Sequence, residues 1–135
     1  MANVNLQDNN SAKDFITVMV NVSLCSGANC NAGEYNVTYD GKEKLEIPVL
    51  TKNTIIRFKL DAATSANVFF VGMGTSLASN AAQLSSYSIS LDRRVLICAD
   101  INSKDVTIGV TLHWIVGTPV SHDPQVKNTP GTTAG

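Results

Sequence analysis

The most regular hydrophobic pattern in the chain covers residues 106–115. Apolar side chains occupy every second position of this segment, at Val106, Ile108, Val110, Leu112 and Trp114. Mostly polar or small residues fill the places between them, and a period of two is typical of a β-strand with one face in a core. The other face of such a strand meets water or a partner. We therefore predict a half-buried strand here.

Seven further segments have strand-like patterns: residues 15–24, 35–39, 45–49, 54–60, 68–74, 86–91 and 95–99. Short turn sequences separate most of them, and only residues 75–85 show helix-like spacing, enough for one or two turns. Strands that follow one another without long helices between them favour an all-β fold, an antiparallel immunoglobulin-like β-sandwich of about eight strands. A closed barrel is the alternative architecture.

Residues 14–117 are predicted to form a single β-sandwich domain. A chain of 135 residues has the size of one ordinary domain and is long enough to bury its own core. Residues 1–13 are polar and rich in asparagine, so we expect a flexible N-terminal arm. Residues 118–135 contain several prolines and few apolar side chains, which predicts an extended or disordered C-terminal tail.

The composition narrows the range of partners. Charged residues make up 16% of the chain, below the roughly 25% typical of soluble domains. Ten basic and eleven acidic residues give a formal net charge of -1, and neither sign is clustered. We therefore expect no contact with nucleic acid or with a membrane surface.

No secretory signal is recognisable, and no apolar run reaches the length of about 18 residues that crosses a bilayer, so a cytoplasmic protein is predicted.

The three cysteines leave one question open. An odd number of cysteines in a domain of this size suits reduced thiols in the cytosol. A disulfide between Cys25 and Cys30, across a short loop that contains a glycine, is the alternative. Cys98 lies in an apolar strand and is predicted to be a small buried side chain. The paired short spacings of structural zinc sites are missing from the sequence, and no metal is expected.

Candidate catalytic groups are scarce. The bases of the usual type are His113, at an outward position of its strand, and His122, in the predicted tail without rigid support. A copper site built from Met73, Cys98 and His113 would need these ligands gathered in one loop, whereas here they belong to separate strands. We therefore predict that the protein is not an enzyme and uses no cofactor.

Two functional hypotheses follow from the pattern. The first is a structural or interaction protein that forms a homo-oligomer through a sheet edge or through residues 68–73, which are apolar on both faces. The second is a small-ligand or carbohydrate-binding module on the sandwich, with the ligand unidentified. Rings at Trp114, Tyr87 and Phe70 are predicted to face the core. The candidate ligand or interface residues are Tyr35, Tyr39, Phe69, Val71, Met73 and His113.

Two parts of the chain also resemble a known family. Residues 121–128, with the pair Asp123-Pro124 at their centre, follow the strand that ends at Trp114 and look like the end of the DP-EP family of small bacterial proteins. Residues 55–74 are similar to the sheet of that family and, more distantly, to PixA-type inclusion-body proteins. The resemblance implies a compact bacterial β-sandwich and supplies no catalytic residues.

Overall fold

A computed structural model of the chain describes residues 14–27, 29–50, 52–75 and 83–130. These residues form an all-β sandwich with ten strands: β1 (Asp14–Leu24), β2 (Tyr35–Tyr39), β3 (Glu46–Val49), β4 (Thr54–Leu60), β5 (Phe69–Thr75), β6 (Ser88–Ile89), β7 (Val95–Asp100), β8 (Thr107–Ile115), β9 (Pro119–His122) and β10 (Gln125–Asn128). Among the described residues no helix is long and apolar enough to cross a membrane.

The strands lie in two sheets that are mixed rather than purely antiparallel. One sheet has the order β2-β1-β4-β7-β6, and the other has the order β3-β10-β8-β5, with β9 also paired to β8. The β1–β4 and β3–β10 pairs are parallel, so the prediction of an antiparallel sandwich is wrong for them. The physical reason is that side chains alternate with period two in both kinds of ladder, so the pattern carries no information on strand direction.

The apolar row of β8 forms the centre of the core, as predicted. Ile108, Val110, Leu112 and Trp114 are at most 1% exposed. Strands β1 and β4 of the other sheet contribute the same kind of alternating row, and these side chains belong to the same buried cluster. The strand pattern of β8 therefore identified the core side correctly, and the two sheets enclose a single core.

The predicted boundary of the domain at residue 117 is wrong. Strands β9 and β10 belong to the second sheet, and Val120, Val126 and Asn128 are buried there. The Pro124 carbonyl accepts a hydrogen bond of 3.0 Å from the Val110 N–H, which fixes the turn between the two strands. Each strand has only four residues, so the alternation was too short to be distinguished from an extended tail.

Other predicted segments compare with the structure as follows. The predicted strand at residues 86–91 is reduced to Ser88–Ile89, while β2 and β4 have the predicted bounds. The predicted arm at residues 1–13 and the end of the chain at residues 131–135 lie outside the described residues, as does most of the segment with helix-like spacing, residues 76–82.

The loop between β4 and β5 is held by Arg94. Its guanidinium donates four hydrogen bonds of 2.7–3.2 Å to main-chain carbonyls, those of Asp61, Thr64, Ser65 and Val68. The hydroxyl of Thr64, itself buried, accepts a 3.0 Å bond from the Val22 N–H. The loop is thus fastened to β7 on one side and to β1 on the other.

Cys25 and Cys30 form a disulfide, which corrects the expectation of three reduced thiols. Cys98 is the free cysteine, and it is buried, as predicted. Burial raises the pKa of the Cys98 thiol to about 12, so this group stays protonated and is a poor nucleophile. The sequence could not decide the pairing, because the spacing permits the bond without requiring it.

Replacing both Cys25 and Cys30 by serine is expected to lower the free energy of unfolding by about 2 kcal/mol, because a cross-link over so short a loop restricts the unfolded chain only modestly. Urea titrations monitored by tryptophan fluorescence measure the change. A reducing agent should bring the wild-type midpoint to that of the double variant and leave the variant's own midpoint in place. Equal midpoints for the oxidised and reduced wild type would contradict the prediction.

Candidate functional site

Five described strands have a neighbour on one side only, and four of these edges are short or covered. Strand β9, which pairs with β8 alone, has four residues and begins with a proline. Strand β6 has two residues, and β3 has four with Pro48 among them, which cannot donate to a ladder. The edge of β2 is capped by the side chain of Asn31, whose amide donates to the Val37 carbonyl and accepts from the Val37 N–H, both at 2.8 Å. An amide side chain thus takes the place of a neighbouring strand at the centre of β2.

The fifth edge, that of β5, is longer. The Phe70 N–H points away from β8 and donates to the Arg93 carbonyl at 2.8 Å. Phe70 pairs with Trp114 of β8. After a β-bulge in β5, Met73 pairs with Leu112, which lies two residues before Trp114. Along an antiparallel pair, the N–H and carbonyl groups of successive residues point alternately toward and away from the partner strand. Those of Met73 therefore also point away from β8. No strand among the described residues pairs with this side of β5.

The side chains of β5 divide between the core and the outside. Phe70 is fully buried against Trp114, with 5.8 Å between the ring centroids, which confirms the predicted core position of both rings. Met73 is half-buried and packs against the core. Phe69 lies on the outer face opposite Ile115, and Val71 is 46% exposed at the bulge. Of the predicted interface residues of β5, Phe69 and Val71 therefore face outward.

Two hollows meet at Val71. One, of about 350 Å³, extends toward the turn after β6 and includes Ile89 and Leu91 in its lining. The other, of about 290 Å³, extends over the outer face of β8 and β9. Leu91, in the lining of the first hollow, is fully exposed, and Ile115, next to Trp114 on β8, is 38% exposed. We call Phe69, Val71, Ile89, Leu91 and Ile115 the β5 surface.

Leu91 and Ile115 were not among the residues predicted for an interface, although the sequence contains an indication for each. Leu91 directly precedes Asp92 in a turn, where polar side chains are expected and a leucine is out of place. Ile115 ends the outward row of β8, whose earlier members are small or polar. Tyr87 was predicted to face the core, but its side chain is 39% exposed. Its hydroxyl lies close to Gly72 of β5: a Cβ atom added to that glycine would be 3.3 Å from it.

The remaining candidate residues lie in different places. His113 is exposed and lines the smaller hollow together with Ser121. Tyr35 is half-buried against the core, on the opposite sheet. Tyr39 was predicted as a ring that faces a ligand, but it is fully buried. It shares the core-facing side of β2 with Val37. The structure therefore does not bring the tyrosines together with the residues of β5.

His122 has the support that the sequence did not reveal. It lies at the end of β9, and its Nδ1 is 2.8 Å from the Tyr39 hydroxyl. Burial raises the pKa of Tyr39, so the phenol keeps its proton. Burial also lowers the pKa of His122, so the imidazole is neutral near pH 7. Which of the two groups donates in this contact depends on the ring nitrogen that carries the imidazole proton.

A polar hollow of about 460 Å³ lies next to His122. It is lined by Asn31, Lys44, Leu45, His122, Asp123 and Gln125. We call it the His122 hollow. These residues come from the segment before β2, the segment before β3 and the β9–β10 turn, so no local sequence pattern connects them. Among the described residues no group of three metal-ligating side chains occurs here or elsewhere.

A second polar cluster is sealed inside the opposite end of the sandwich. Asp100, Asn102, Asn128 and Gln83 are at most 2% exposed. Asp100 Oδ1 accepts from the Asn128 side chain at 3.0 Å and from the Asn102 N–H at 2.9 Å, whereas Oδ2 has no partner among the described residues. Burial raises the pKa of the Asp100 carboxyl. Because these side chains are buried and hydrogen-bond to one another, we treat the cluster as structural.

No curated protein matches the chain, and the predicted similarity to PixA-type proteins stays a prediction. The DP-EP family matches residues 3–130, which include every described strand and the turn at Asp123-Pro124. On that match, the chain belongs to the DP-EP family.

Proposed function

We propose that the protein is a non-enzymatic interaction protein that self-associates, with the β5 surface as the contact between two copies. The observation that carries this proposal is the edge of β5, which no described strand covers and which exposed Val71, Leu91 and Ile115 border, while the other described sheet edges are short or capped. Open edges with apolar flanks are the sites at which sheets add strands from another chain.

The geometry fits a contact between identical surfaces. Two β5 edges related by a two-fold axis would run antiparallel, and the outward peptide groups of Met73 would find partners across the axis. Leu91 projects fully into solvent next to a hollow that Val71 shares. A leucine moved from water into an apolar contact contributes about 1.5–3 kcal/mol, and the symmetry supplies two such contacts.

Size-exclusion chromatography with light scattering over a range of concentrations tests the proposal. The wild type should pass from monomer to dimer, and Val71→Lys should remain monomeric because a charge at the bulge would be buried without a partner. Leu24→Lys is the matched control, since Leu24 is 73% exposed at the far end of β1 and should leave association intact. A wild type that stays monomeric, or a Val71→Lys variant that associates like the wild type, would refute the proposal.

A carbohydrate-binding function receives less support from the rings. Sugar-binding surfaces on sandwiches need exposed aromatic faces, and of the three rings predicted for that role Tyr39 is buried and Tyr35 is half-buried. Phe69 faces outward, but it belongs to the β5 surface. We therefore propose self-association rather than carbohydrate binding.

The redox state of Cys25 and Cys30 in the cell reports on the compartment of the protein. The expectation of a cytoplasmic protein rested partly on reduced thiols, and the disulfide between Cys25 and Cys30 removes that argument, because such bonds persist mainly in oxidising compartments. Alkylation of free thiols in freshly lysed cells distinguishes the two cases. A cytoplasmic protein should label at Cys25 and Cys30, whereas a protein from an oxidising compartment should not.

A further inference from the structure

We propose that the His122 hollow binds a small zwitterion of the α-amino acid type. The proposal does not depend on the β5 surface, which lies on other strands. It rests on three observations: a hydrogen-bond donor held in one orientation, a cation and an anion that are not paired with each other, and a hollow of a size suited to a small ligand.

The donor is the Nε2–H of His122. Nδ1 is the one hydrogen-bond partner of the buried Tyr39 hydroxyl among the described residues, so we infer that Nδ1 accepts the phenol proton and that the imidazole proton lies on Nε2. Nε2 has no partner among the described residues, while the side chain lines the hollow. A neutral imidazole whose tautomer is fixed from behind by a buried group offers a donor that needs no rearrangement when a ligand arrives.

The charges come from Lys44 and Asp123. Both side chains line the hollow, and neither forms an ion pair with any described residue. A simple anion would be attracted by Lys44 and repelled by Asp123, and a simple cation would meet the reverse. A zwitterion satisfies both, with its carboxylate toward Lys44 and the His122 Nε2–H and its ammonium toward Asp123.

The rest of the hollow restricts the ligand's size and shape. Its volume of about 460 Å³ lies within the range of small-molecule sites. Leu45 offers an apolar contact for a side chain, and the Gln125 amide offers a further donor and acceptor. The Asn31 amide is already bonded to Val37 and so acts as a fixed wall rather than as a ligand contact.

Two-dimensional ¹H–¹⁵N NMR with the twenty common L-amino acids at millimolar concentration tests the proposal. At least one should shift the amide signals of Lys44, His122 and Gln125 in a saturable way. For the best binder, the amine lacking the carboxylate and the acid lacking the ammonium should each bind at least tenfold more weakly. If no amino acid shifts these signals, or if a single-charge analogue binds as well as the parent, the proposal fails.

Charge-removing variants locate the site. Lys44→Met and Asp123→Asn should each weaken binding of the same amino acid about tenfold, because each removes one charge-assisted contact. Lys127→Met, on the exposed side of β10, is the control for the loss of one positive charge and should bind like the wild type. Unchanged binding in both hollow variants would show that the ligand sits elsewhere and would overturn the assignment.

Tyr39 is assigned a positioning role, which has its own readout. In the wild type, imidazole ¹⁵N signals should show His122 with its proton on Nε2 alone. In Tyr39→Phe both tautomers should appear, and binding should weaken several-fold while the remaining amide spectrum stays that of a folded protein. A His122 signal that is identical in the two proteins would remove Tyr39 from the proposed site.

Discussion

Replacing Arg94 by methionine is expected to lower the free energy of unfolding by about 3 kcal/mol. The guanidinium donates four hydrogen bonds to carbonyls of the loop between β4 and β5. A hydrogen bond from a charged donor contributes about 1.5–3 kcal/mol, but the four act on one loop and their contributions are not additive. Methionine keeps much of the apolar stem and removes all four bonds, and denaturant unfolding measures the loss.

The preceding residue supplies a close control. Arg93 is exposed and contributes to the fold through its main-chain carbonyl, which Arg93→Met retains. That variant should stay within about 0.5 kcal/mol of the wild type. Hydrogen exchange should also become faster at the Thr64 and Val68 amides in Arg94→Met alone. Equal stabilities of the two variants would show that the charge, rather than the four bonds, accounts for any loss.

An Asp100→Asn variant is expected to be more stable than the wild type at neutral pH, by about 2–3 kcal/mol. The carboxyl is fully buried and, among the described residues, only Oδ1 has hydrogen-bond partners, so its charge is poorly compensated. Asparagine keeps an acceptor at the position of Oδ1 and replaces the unpaired oxygen with an amide nitrogen. Among the described residues, the side-chain oxygens of Asn102 and Asn128 in the same cluster also lack hydrogen-bond partners.

The pH dependence separates this explanation from a simple packing effect. Burial raises the pKa of Asp100 in the folded protein, so above the ordinary carboxyl pKa of about 3.9 the unfolded chain loses its proton first. The stability that the protonated carboxyl contributes is therefore lost as the pH rises from about 3.9 to the raised pKa of Asp100 in the folded protein. The variant's advantage should be small near pH 3 and larger near pH 7. Asp105→Asn, at an exposed site, should change stability by less than about 0.5 kcal/mol at both. A gain that is the same at both pH values contradicts the electrostatic cause.

The strands of the fold were accessible from the sequence because side-chain alternation is a local property. It identified β8 and its buried row, and it gave β2 and β4 their bounds. Strand direction and pairing were not accessible, since they depend on contacts between distant segments. The parallel pairing of β1 with β4 and the place of β9 and β10 in the second sheet both belong to this class.

The candidate sites were predicted only in part, for a related reason. The exposed position of Val71 followed from a segment that is apolar on both faces. The His122 hollow did not, because its walls come from segments between 31 and 125 that only the fold brings together. Tyr39 shows the limit most clearly: the same tyrosine could have faced water or the core, and the choice depends on which side of β2 its neighbours cover.

The parallel pairing of β3 with β10 sets an order of events during synthesis. Among the described strands, β3 hydrogen-bonds to β10 alone, and that partner follows about eighty residues later. At about 5–20 residues per second, a ribosome needs roughly 4–16 seconds to make the intervening chain. Through that interval the nascent polypeptide carries an unmatched β3, and translation of the final strand rather than hydrophobic collapse decides when the second sheet can be completed.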